Sequence, residues 1–229
     1  GTMFGTEMSR GLTGLGSGRW LALAAAILAL MLPLRSANAH PHAWIDITVQ
    51  VIFDAAGDVT GLREHWLLDE FYTAFALEGV DAGSTGPAQT AIDDLMKNNM
   101  KNLAEYDYFT VVKQAGKRVA YAPVADMSSR LKNGRLLMSF VLPFDQAVNL
   151  SGGSLSYRIF DPTYYIEVLH AQQSDAILLE GAPVGCNYQL TAPRPSLEDI
   201  ARAARLDRTQ SGGDGLGILF SEHVEVFCR

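Results

Sequence analysis

Cysteine is almost absent: the 229 residues contain two, Cys186 and Cys228. Neither sits in a CxxC pair or beside a histidine at zinc spacing. The expected arrangement is one disulfide in an oxidising compartment, tying the last residues to a strand near 185–190. Such a bridge contributes on the order of 3–4 kcal/mol. Lys/Arg clusters are missing too. Formal net charge is −7, and with three Arg and one Glu preceding His40, residues 40–229 stand at −9. That balance disfavours nucleic acid and anionic lipid as partners. No GxSxG, HExxH, P-loop or Cys–His nucleophile pair occurs, so ordinary hydrolase and NTPase chemistry has no support, and the chain reads as a non-enzyme. Internal repeats and low-complexity tracts are also lacking.

Long apolar runs are scarce. The one present, Trp20 to Leu34, follows the basic residues Arg10 and Arg19 and precedes Ser36-Ala37-Asn38-Ala39, an A-x-A cleavage site. Met3 or Met8 is a candidate start. These three parts in order are a secretory signal peptide, and the run is short for a membrane span of roughly 20 residues. Residues 1–39 are therefore expected to be a signal with an N-terminal extension. Residues 40–229 are expected to form one exported domain with no membrane insertion of its own after cleavage.

Apolar residues from Ala43 to Phe53 alternate with polar ones, the period of a half-buried strand. Asp54 to Asp58 is a turn, and Val59 to Leu68 reads as the return strand. Leu62, Trp66 and Leu68 share one face; Arg63, His65 and Asp69 fall on the other. From Asp69 the spacing turns helical, and Ala88 to Glu105 carries the stripe Ile92, Leu95, Met96, Met100, Leu103. Met96 and Met100 read as core rather than a copper-binding run. Short strands follow: Tyr108–Lys113, Lys117–Tyr121, then Met127–Lys132 and Arg135–Leu142 around the hairpin signal Asn133-Gly134. Four more are expected at 155–160, 164–170, 176–180 and 186–190, then a helix from Ser196 to Leu206. This order predicts an α+β fold: an antiparallel β-sandwich-like body with a helical insertion at about 70–105 and a short C-terminal helix.

The histidines carry the candidate chemistry. Cleavage after Ala39 makes His40 the first residue. An α-amine with a pKa of about 7.7–8 and an imidazole at about 6.5 both donate lone pairs near neutral pH. His42, two positions on, points to the same face of an extended chain. Two imidazoles and an amine suit Ni, Co, Zn or Cu better than Mg or Ca. Pro41 stiffens this end and lacks the amide proton that a square-planar amide site needs. If the hairpin buries Leu62, Trp66 and Leu68, its other face carries His42, Asp46, His65 and Asp69 as further ligands or as groups that orient the imidazoles. Asp161 and His170 bracket another strand and are placed to approach from the second sheet. The plainer alternatives are a disordered polar N-terminus for His40 and His42, a surface position for His65, an Asx turn for Asp161 before Pro162, and structural or exposed positions for His170 and His223.

The segments HPHAWIDITVQVIFD, HWLLDEFY, NLAEYDYFT, and FDPTYYIE followed by GAPVGC, in this order, resemble the domain of unknown function 1007 family over roughly 40–190. The family is described as an uncharacterised periplasmic component of an ABC-type transport system. The resemblance implies a protein linked to divalent metal transport, commonly beside nickel/cobalt-type exporter genes, with a membrane transporter or exporter subunit as partner. It also implies an Asp-rich, calcium-like loop after the first helix. Here the corresponding positions from Asp81 are Gly83, Thr85 and Ile92, so no calcium site is expected.

The expected function is therefore a divalent transition-metal-binding accessory or solute-binding component of such a system. About 190 residues is small for a two-lobed solute-binding protein. The alternatives are a histidine-brace copper enzyme that activates oxygen, and a non-catalytic protein-interaction β-sandwich using Trp44, Tyr164 and Tyr165.

Overall fold

The computed structural model describes residues 41–80, 82–83, 86–206, 212–213 and 215–229. The signal segment, His40, Asp81, Thr85 and Gln210 lie outside the described residues.

Strand β1 (Ala43–Phe53) buries every second side chain from Ala43 to Phe53. Strand β2 (Val59–Leu68) returns antiparallel, with Ile47 opposite Trp66 and Thr48 opposite His65. This is the register that the alternation predicts. The turn between them is held by Asp54, whose Oδ1 accepts the amides of Ala56 and Asp58, each at 2.9 Å. Helix α1 (Glu70–Ala76) and helix α2 (Gln89–Leu103) form the insertion, separated by the two-residue strands β3 (Ala82–Gly83) and β4 (Gly86–Pro87). Ile92, Met96 and Met100 of α2 are buried in the main core, so the methionine stripe is packing surface.

The remaining strands are β5 (Thr110–Gln114), β6 (Lys117–Arg118), β7 (Ala125–Lys132), β8 (Arg135–Val148), β9 (Ser154–Ile159), β10 (Ile166–His170), β11 (Ile177–Glu180), β12 (Cys186–Thr191) and β13 (His223–Cys228). Helix α3 (Leu197–Arg205) begins with a reciprocal cap between Ser196 and Asp199. One sheet runs β10-β1-β2-β8-β7, with β11 also on β1; the other runs β12-β13-β9-β5-β6. Their inner faces and α2 share one core. The α+β, sandwich-like class expected from the sequence is what is found.

The first sheet is mixed rather than wholly antiparallel, because β10 and β11 lie parallel to β1, end to end along it. The cause is the connection. β9 belongs to the second sheet, so β10 reaches β1 by crossing between layers, and no hairpin dictates its direction. Gly61 lets β2 and β8 approach closely, since a Cβ there would stand 2.8 Å from the Leu142 carbonyl oxygen. Cys186 and Cys228 face each other across β12 and β13 and form the expected disulfide.

Candidate functional site

At one end of the first sheet, the starts of β1 and β10 meet the end of β2. The His42 amide donates to the Tyr165 carbonyl at 2.8 Å, and the two rings lie 4.8 Å apart at a tilt. Trp44 and Tyr165 are both partly open to solvent, at 45% and 39%. Beneath them two carboxylates hold backbone. Asp69 caps α1, with Oδ1 accepting the amides of Phe71 and Tyr72 at 2.8 and 2.9 Å, and Oδ2 accepting the Trp44 amide at 2.8 Å. Asp161 is buried; its Oδ1 accepts the Thr163 amide and hydroxyl, each at 2.9 Å, and its Oδ2 accepts the Ile166 amide at 3.0 Å. That is the Asx-type turn the sequence offered as the plainer reading. Burial, and then the charges of Asp161, Tyr165 and Asp69, push the Tyr72 phenol up. His42, Asp69 and Asp161, far apart in sequence, thus gather around one end of the sheet. Gly217 packs against the Asp161–Pro162 backbone so closely that a Cβ would overlap the Asp161 carbonyl oxygen.

Asp46 and His65 lie on the outer face of the same sheet, as their strand positions require; Asp46 lines a surface hollow with Trp44 and Asp69, whereas His65 lies further along, opposite Thr48. Asp46 is bridged by Arg135 at 2.8 Å, and the same guanidinium donates to the carbonyls of Leu68 and Leu67 at 2.7 and 3.0 Å. His65 Nδ1 shares a 2.7 Å hydrogen bond with the Ser139 hydroxyl. Burial, followed by the charges of Arg63, Arg130 and Lys132, lowers the pKa of its ring.

Two buried polar clusters remain; of their members only Trp66, as part of an apolar face, and His170, with a structural role as its plainer reading, were named from the sequence. Glu64, on β2 between Leu62 and Trp66, points into the core and is fully buried. Trp66 Nε1 donates to its Oε2 at 2.9 Å, and Thr110 Oγ1 lies 3.0 Å from its Oε1. Burial pushes this carboxyl up to about 7, against a smaller lowering by those two partners. The second cluster spans the sheets. Tyr157 on β9 places its hydroxyl 3.0 Å from His170 Nε2, and Nδ1 of that ring meets Glu222 at 2.7 Å. His170 therefore has both ring nitrogens engaged and stands away from His42. The signal for Glu64 was available: the alternation that puts Leu62 and Trp66 inside puts residue 64 there too.

The profile of a family described as a protein of unknown function, DUF1007, matches residues 25–228. The chain belongs to the DUF1007 family. Similar to it is an uncharacterized protein of Haemophilus influenzae (strain ATCC 51907 / DSM 11121 / KW20 / Rd), 27% identical over 195 residues that cover 83% of this chain and 92% of the relative.

Within this DUF1007 member, no group of three or more His, Cys, Asp or Glu side chains among the described residues is arranged to hold a metal ion. The contacts say why. Asp69 and Asp161 already use both oxygens on backbone and hydroxyl donors, Asp46 is held by Arg135, and His65 sits among cations. Of the predicted ligands, these four fit structural duties in this arrangement. His42, the remaining predicted ligand among the described residues, lies immediately before β1.

Proposed function

We infer that this chain is an exported, periplasmic metal-binding accessory or solute-binding component of a divalent transition-metal transport system, and that its primary ligands are His40 and His42. The observation supporting this reading most strongly is the anchoring of His42. The hydrogen bond its amide donates to the Tyr165 carbonyl and its ring contact fix one imidazole at the start of β1, two residues from the α-amine that cleavage after Ala39 would create. A chelating amine and imidazole at His40 together with an oriented second imidazole favour Ni, Co, Zn or Cu by ligand softness. Asp69 and Asp161 support the site by fixing the two loops around it. Among the described residues no helix is long and apolar enough to cross a membrane, and the disulfide suits an oxidising compartment. The partner is a membrane transporter or exporter subunit, with the exposed Trp44 and Tyr165 beside the site.

The test is metal titration of protein beginning at His40, beside a form extended by several residues and a His40→Ala/His42→Ala variant. The reading expects stoichiometric binding by the first, markedly weaker binding by the extended form, and loss in the double variant. Equal binding by all three would overturn it.

A further inference from the structure

The outer face of the first sheet is not flat. β7 on one side and the 171–175 segment on the other wall a groove of about 290 Å³. Cross-strand register fixes its floor, with Thr48 opposite His65 and Leu67 opposite Leu137. Arg130, Lys132, Thr48, Gln50, His65 and Gln173 supply polar and cationic donors, Leu67, Leu137 and Leu178 supply an apolar strip, and two carboxylates, Asp46 and Asp175, line it as well.

The charges around His65 are unevenly matched. On β2, Arg63 is paired with Asp126 at 3.3 Å; on β8, Arg135 is paired with Asp46 at 2.8 Å. Arg130 and Lys132 on β7 make no ion pair among the described residues. Of the two acids that line the groove, Asp46 is the one neutralised by Arg135, while Asp175, on the opposite wall, makes no ion pair among the described residues. Two unpaired cations therefore meet one unpaired carboxylate, in a protein whose overall charge is strongly negative. His65 Nδ1 is taken by Ser139, so Nε2 is the ring atom left for the groove. A proton on that atom makes His65 a third donor beside the two cations.

We propose that this groove is a binding site for a small organic polycarboxylate, whose carboxylates meet Arg130, Lys132 and His65 and whose carbon skeleton lies on Leu67, Leu137 and Leu178. Guanidinium and ammonium groups bind carboxylates through charge-assisted hydrogen bonds, strongest where walls exclude water. The apolar strip favours an organic anion over bare phosphate. The walls favour a soluble small molecule over the same acidic groups displayed on a lipid surface. His42 is not among the residues that line the groove, and the proposal stands or falls independently of metal binding.

The probe is citrate, added to the metal-free protein at low ionic strength, with calorimetry and NMR of the His65 ring as readouts. Citrate is expected to bind and to move the His65 resonances. The paired substitution Arg130→Ala/Lys132→Ala is expected to weaken binding about tenfold or more, with an unchanged denaturation midpoint showing that the fold is kept. His65→Gln, which keeps a donor but not the ring, is expected to bind with intermediate strength. Vesicles rich in anionic lipid are expected not to displace citrate or capture the protein. No binding at about 1 mM citrate, binding undiminished in the double variant, or capture by vesicles without citrate binding would each overturn the proposal.

Discussion

Thr110 Oγ1 stands 3.0 Å from Glu64 Oε1 and also 3.0 Å from the Tyr108 carbonyl oxygen. A hydroxyl has one proton to donate. If Glu64 is protonated, its O–H donates to Thr110, and Thr110 donates onward to Tyr108; every group is then satisfied. If Glu64 is ionised, Thr110 must choose between two acceptors inside the core. The geometry and the raised pKa agree that the folded protein keeps this proton into the neutral range.

Stability should therefore fall as pH rises. The folded-state pKa of about 7 lies above the ordinary 4.5, so the folded chain binds the proton more tightly than the unfolded one. This contribution is complete below the lower value and is lost as pH rises through the upper one. The expected loss is on the order of 3 kcal/mol. Urea denaturation of the parent and Glu64→Gln across that window checks this. The variant should lose most of the downward slope, and a parallel slope in both would contradict the assignment.

Asp69 should matter for stability and little for metal. Asp69→Ala removes the α1 cap and leaves the Trp44 amide without its carboxylate, at a cost of about 1–2 kcal/mol. Asp69→Asn should recover part of this. Metal affinity should change little in the Asn variant; a collapse of affinity at unchanged stability would make Asp69 a ligand.

Tyr157→Phe deletes the hydroxyl that meets His170 Nε2 and leaves a buried ring nitrogen without that partner. The expected destabilisation is about 1–3 kcal/mol, read by chemical denaturation. Citrate and metal titrations should be unaffected, since none of Tyr157, His170 and Glu222 lines the groove or is a proposed metal ligand.

Replacing both cysteines by serine should cost on the order of 3–4 kcal/mol. Oxidised parent, reduced parent and double-serine protein compared in denaturant give the measurement. The reduced parent and the serine variant should fall together, below the oxidised form.

Much of the fold was legible because one face of each long strand is buried. The alternation from Ala43 to Phe53 set the pairing with β2, and the helix stripe set which side of α2 faces the core. The parallel pairing of β10 with β1 was not legible, because local pattern carries no information about which sheet a strand joins. The candidate site divides in the same way. Strand parity correctly put Asp46 and His65 on one face. What a carboxylate is hydrogen-bonded to depends on loops that meet only after folding, so the use of Asp69 and Asp161 on backbone amides could not be read beforehand. Glu64 was legible by parity but masked by its neighbours, since a charged residue inside an apolar face is identified by its partners Trp66 and Thr110.

The order of strands also governs when the protein can fold. β1, the first strand described, takes β10 and β11 as neighbours on one side, and β13, the last, lies between β12 and β9. The first sheet cannot be completed before β11 is available, nor the second before β13. A chain emerging N-terminus first thus presents half-built sheet edges until those strands arrive, and contacts of such long range fold slowly. The second sheet waits for β13, and Cys228 arrives with that strand to lock it onto β12.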